Sequence, residues 1–113
     1  MTSPGATRVS DRLFGRRCRL GVALYALQHP EGRFFQSEPP PFTSATPSAI
    51  SAELQRLVEL GMLVEERPRD STKVYYVRTQ SQLWRIVALA ASVTGLRWEG
   101  GRLVEGAPYD WQD

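Results

Sequence analysis

Four side chains at helical spacing carry most of the usable polar chemistry of this chain. Ser48, Ser51, Gln55 and Arg56 fall on the polar side of one 3.6-residue repeat, so a helix there presents two hydroxyls, an amide and a guanidinium together. Such groups donate and accept hydrogen bonds at a surface. Further along, Arg67, Arg69 and Lys73 cluster against the single acid Asp70. Cations of this kind suit oxyanions such as phosphates, where they supply attraction without much selectivity.

Chemistry that makes or breaks bonds finds little footing. There is one cysteine, Cys18, and one histidine, His29, and no glycine-rich phosphate loop. The adjacent acids Glu65 and Glu66 point to opposite faces if they lie on a strand. The expectation is a protein that is not an enzyme, with no catalytic residue, no metal and no cofactor. A lone cysteine permits no internal disulfide, and Cys18 sits in an apolar stripe where packing is its expected role. His29 just precedes a proline stop, where an imidazole favours a helix C-terminus.

The elements that position the polar groups follow from pattern. "MTSPGATRV", residues 1–9, has no periodicity and reads as a flexible arm. Ser10 or Asp11 can cap a first helix whose apolar positions, Phe14, Cys18, Val22 and Tyr25 among them, run to Pro30. Gly15 and Gly21 inside it mark places of close backbone approach. Residues 30–47, with prolines 39 to 41, deny a regular helix and leave room for a short strand and one helical turn over Phe42 to Ala45.

Thr46 then caps a helix opened by Pro47, with Ile50, Leu54, Leu57 and Val58 as its apolar stripe and Gly61 as its stop. "MLVEERP" and "KVYYVR" form a hairpin with a basic tip, although charges there would also serve only to discourage edge pairing. A last helix, 81 to 94, is apolar over most of its circumference and stops at Gly95. A ribbon about Gly100-Gly101 and an acidic tail with Tyr109 and Trp111 follow. The domain is expected over 10–95, with the ribbon and tail at 96–113.

Composition sets bounds. The 113 residues are 42% hydrophobic and 23% charged, as in one ordinary globular domain. Residues 1–98 carry thirteen basic and eight acidic side chains, whereas 99–113 carry one and four, so a basic body meets an acidic tail. A polyanionic partner is compatible with that body. Five arginines at 8, 12, 16, 17 and 19 leave two readings open, phosphate contacts or a solvated face. "RRCRLGVALYALQHP" superficially resembles a secretion signal, but it ends in Gln28-His29-Pro30 rather than a small-x-small site. No apolar stretch approaches the roughly 18 residues of a membrane span. The expected location is the cytoplasm, without membrane contact.

The run "PSAISAELQRLVELGMLVEERP" with "KVYYVR" resembles the winged helix-turn-helix regulators of the ArsR-type and MarR-type families, and the resemblance extends in outline over residues 11–94. That resemblance implies an α+β winged helix-turn-helix fold, helices packed with a two- or three-stranded antiparallel wing. It implies a recognition helix, 47–60, whose polar face enters the major groove of double-stranded DNA, and a wing, 64–78, on the backbone. Ser48, Ser51 and Gln55 would then read base edges, Gln pairing with adenine, while Arg56 reaches phosphate or guanine. Arg67, Arg69 and Lys73 would hold phosphates. The cysteine pair of the metal-sensing members has no counterpart here.

The implied function is a sequence-specific transcriptional regulator. A homodimer is expected from the apolar last helix, with Tyr25, Trp84 and Val87 as interface candidates. The upstream segment "SEPPPFTSAT" replaces the regular positioning helix of those families, and a second reading follows. A winged helix so altered would dock on a protein partner, another regulator or polymerase. A small-molecule pocket between Phe34, Phe35 and the last helix is compatible with the first reading.

Overall fold

In the computed structural model of the chain, which describes residues 5–40 and 45–106, helix α1 spans Ala6–Phe14 and α2 spans Arg19–Gln28. The expected single first helix is therefore two, and it begins inside the segment read as an arm. The reason is Gly15. It adopts φ 85 and closes α1, a left-handed cap that glycine accepts without the cost of a Cβ. Ser10, expected as an N-cap, is instead buried at the resulting corner. Its hydroxyl donates to the carbonyl of Arg16 and accepts from the amide of Leu20, stapling α1 to α2.

Six of the ten positions of α2 are buried, from Leu20 to Leu24 and again at Ala26, so it runs through the core. Pro30 ends it. Arg78 then seals its end, donating to the carbonyls of Ala26, Leu27 and His29 at 2.9, 2.7 and 3.0 Å. A cation at a helix C-terminus satisfies orphan carbonyls and meets the negative end of the helix dipole.

Strand β1, Arg33–Phe35, leads towards helix α3, Pro47–Glu59. The cap of α3 forms as its sequence predicts: Thr46 Oγ1 accepts from the amide of Ala49 at 3.2 Å, with Pro47 in the first turn. Ile50, Leu54 and Leu57 are buried, each worth about 1.5–3 kcal/mol against exposure. Gly61, at φ 74, stops the helix, and the amide of Met62 donates back to Leu57 O at 2.9 Å. That pairing turns the chain straight into β2, Leu63–Glu66.

β3, Tyr75–Arg78, returns antiparallel to β2 and also pairs with β1, so the sheet order is β1-β3-β2. Tyr76 at the centre is fully buried, with buried Phe34 opposite it in β1 and Glu65 opposite it in β2. Helix α4 spans Trp84–Thr94, shorter than expected, because Ser81 Oγ accepts from the amide of Leu83 in a turn before it. Gly95 caps it at φ 69.

β4, Leu96–Glu99, and β5, Arg102–Glu105, pair about Gly100 and Gly101, both with positive φ, as the expected ribbon does. The ribbon belongs to the body rather than to a tail. Trp98 Nε1 donates to Gly21 O at 2.9 Å, and the amide of Ala6 donates to Glu105 at 2.6 Å. The class is α+β, four helices with two small antiparallel sheets among the described residues. The helical turn expected over Phe42 to Ala45 lies largely outside those residues, as do Tyr109 and Trp111.

Candidate nucleic-acid interface

The first half of α3 presents short side chains. Thr46, Ser48 and Ala52 are exposed, and Ser48 Oγ lies 3.2 Å from Thr46 Oγ1. Ser51 is half-buried and accepts from Gln36 Nε2 at 2.6 Å, which ties this turn to the segment after β1.

Gln55 does not face outwards in the way the sequence predicts. Its Nε2 donates to Glu65 Oε2 at 3.1 Å and to the Tyr76 hydroxyl at 3.0 Å, bridging α3 to both strands of the hairpin. A two-point contact with adenine needs the amide donor as well as the carbonyl, and here both donor hydrogens are engaged. Arg56 is exposed, 3.6 Å from Glu53.

The hairpin contributes the cations expected of it, in three different states. Arg67 pairs with Glu65, and together with Gln55 it holds the Glu65 carboxyl below the usual range, the Gln55 hydrogen bond being the larger cause. Lys73 Nζ sits 4.3 Å above the Phe35 ring. Arg69 is exposed and has no ion pair among the described residues. Lys73, Phe35 and Val74 share a cleft of about 380 Å³ with Pro47 and Ile50, so the start of α3 and the wing strand flank one opening. A pocket is expected between Phe34, Phe35 and the last helix. Phe34 is sealed between Tyr25 and Tyr76, and the cleft at Phe35 opens towards α3 instead.

The residue that sequence reasoning missed is Glu53. Its side chain is only 2% exposed, yet it is charged, and it receives Arg19 Nε at 2.7 Å and Arg16 Nη1 at 3.1 Å. These pairs bind α3 to the α1–α2 corner, so two of the five N-terminal arginines act within the fold. A signal existed: Glu53 lies three residues after Ile50 and four before Leu57, on the apolar stripe where a carboxylate must find partners.

The three interface candidates also face inwards. Trp84 and Val87 are 6% and 9% exposed in the chain's own core. Tyr25 donates to Glu38 at 3.0 Å and meets Phe34 and Trp98 edge-on; burial first, then Glu38, raises its pKa. The large exposed apolar side chains of the last helix segment are Leu83, Ile86 and Leu89. The difference is one of phase, because α2 packs against one side of α4 and leaves the opposite side outward. Cys18 is buried, and burial raises its thiol pKa, so it is a packing residue with little thiolate.

No protein-family model, curated protein or solved structure matches this chain.

Proposed function

We propose that this chain is a winged-helix DNA-binding transcriptional regulator without enzymatic activity, acting in the cytoplasm as a homodimer. The observation that carries the reading is the joint placement of an open helix start and a basic hairpin. α3 runs through Gly61 into β2, the sheet orders as β1-β3-β2, and Ser48 and Ala52 stand exposed beside the cleft that Lys73 lines. This is the disposition a helix needs to enter a major groove with a wing on the adjoining backbone. Ser48, Ser51 and Arg56 contact bases or the groove edge, and Arg67, Arg69 and Lys73 contact phosphates. Gln55 supports the wing. The dimer contact uses the outward residues Leu13 and Leu89, 71% and 67% exposed, in place of the buried candidates.

The deciding experiment is selection of bound fragments from a random DNA pool, followed by affinity measurements over a salt series. A shared sequence with a steep salt dependence is the expected result. Absence of DNA binding at low salt overturns the reading. A protein-docking winged helix would then take its place, favoured by exposed Leu60 and Val64 at the exit of α3.

A further inference from the structure

The three-stranded sheet has two unlike faces. Antiparallel register sets Phe34, Tyr76 and Glu65 side by side on the face that meets the helices, where Gln55 of α3 reaches the Tyr76 hydroxyl. Successive residues of a strand point to opposite faces, so the flanking ranks lie on the other side: Arg33, Val77 and Val64, then Phe35, Tyr75 and Glu66. All six are half-buried or exposed. Among the described residues, the ring, cation and ion-pair contacts of this outer face stay within it and the adjoining turn. Its centre is aromatic. The Phe35 and Tyr75 rings meet edge-on, with 6.3 Å between centroids and 77° between planes. The Arg33 guanidinium carbon lies 3.9 Å above the Tyr75 ring, and Lys73 Nζ lies 4.3 Å above the Phe35 ring. Each ring therefore turns a π-face outwards, where a long cationic side chain can reach over it. The acid of the face is Glu66, held by Arg33 at 3.1 Å, so two cations stand against one carboxylate.

We propose that this outer face binds single-stranded nucleic acid, two unpaired bases stacking at Phe35 and Tyr75. Lys73 neutralises the phosphate between them, and the planar guanidinium of Arg33 extends the stack at Tyr75. A duplex cannot use the face in this way, because its bases hide their flat sides against one another, whereas an unpaired base brings a free π-face. The 6.3 Å between the rings exceeds the roughly 3.4 Å rise between neighbouring bases of a duplex strand, so each ring takes its own base from a strand stretched open. An apolar protein surface suits the face less well, since covering it would take Lys73 and Arg33 out of water with a single acid to balance them. The inference does not rest on the major-groove reading, whose helix lies on the opposite side of the sheet, although Lys73 serves both.

Fluorescence anisotropy with the full chain at low salt tests this, using a labelled thymidine strand of about ten nucleotides, the same sugar-phosphate strand without bases, and a mixed-sequence duplex. The expected result is saturable binding of the thymidine strand, about tenfold tighter than the baseless strand of equal charge. Tyr75→Leu and Phe35→Leu, which keep an apolar side chain in the strand, should each weaken it about tenfold and leave duplex affinity unchanged. In NMR spectra of the wild type, the ring resonances of both residues should move upfield as the thymidine strand is added. Equal binding of strands with and without bases, or ring resonances that stay in place, overturns the proposal. So does a change from dimer to monomer in Tyr75→Leu, which would make the face a contact between copies. A thymidine strand that binds as described while the duplex does not would sink the regulator reading alone.

Discussion

Two clusters of arginine in this chain have opposite fates. At the α1–α2 corner, Arg16 and Arg19 close on Glu53, whose carboxylate is all but sealed from water. At the hairpin, Arg67 is 71% exposed with a partner two residues before it on β2, and Arg69 is exposed with no ion pair among the described residues. The residue type is the same in both places. What differs is a buried acid supplied by another element. The two guanidinium groups closing on one sealed carboxylate serve cohesion, whereas cations on a two-stranded tip remain available to an outside anion. A surplus of basic residues in a sequence therefore overstates the charge a partner would meet.

The largest effect should come from breaking the corner. Glu53→Ala leaves two guanidinium groups facing an apolar gap; because both are about a third exposed, water recovers part of the loss, and about 2–3 kcal/mol of stability should go. Urea denaturation measures it. A loss under about 0.5 kcal/mol, the level of a surface pair, would erase the distinction between the clusters.

The hairpin predicts a binding effect with little change in stability. Arg67→Ala with Arg69→Ala should weaken DNA binding roughly tenfold across all sequences and reduce the salt slope by about two, one per lost phosphate contact. Arg16→Ala should leave that slope unchanged. An equal change from both variants would show that the corner also touches DNA.

Gln55→Ala sharpens the boundary between cohesive and recognising groups on α3 itself. With its amide held by Glu65 and Tyr76, its removal should cost about 1 kcal/mol of stability and affect all DNA sequences alike. Relaxed specificity at one base pair would instead mean that the amide turns outwards on binding.

The smallest effect at neutral pH concerns the buried phenols. Burial is the first cause that raises the pKa of both Tyr25 and Tyr76, so the folded chain keeps protons that an unfolded one releases. Their contribution to stability is complete below about pH 10, the ordinary tyrosine value, and declines as pH rises above it. Tyr25→Phe should flatten that decline in alkaline unfolding curves. An unchanged slope would show that Tyr25 titrates as it does in the unfolded chain.

Much of the fold was legible along the chain. Thr46 with Pro47, Gly61 and the Gly100-Gly101 pair are local devices, acting through backbone bonds a few residues away, and each does what its type predicts. Elsewhere local cues competed. Gly15 lay inside an apolar period long enough to run from Phe14 to Tyr25, and only the Ser10 staple between the two helices shows why the chain turns there.

The site divides along the same line. Periodicity alone determined that residues 47–59 form a helix with a polar face, and turn chemistry determined the hairpin and its cations. Tertiary structure decided which polar groups remain on the surface. Gln55 lies on the polar side of the wheel, but two strands reach up to it; Glu53 lies on the apolar side, but two arginines more than thirty residues earlier reach down to it. The same holds for Trp84 and Val87, which a nearly all-apolar helix could not distinguish from Ile86 and Leu89. A helical repeat fixes the angle of each side chain about its own axis, and the axis alone carries no information about which neighbours will stand at that angle.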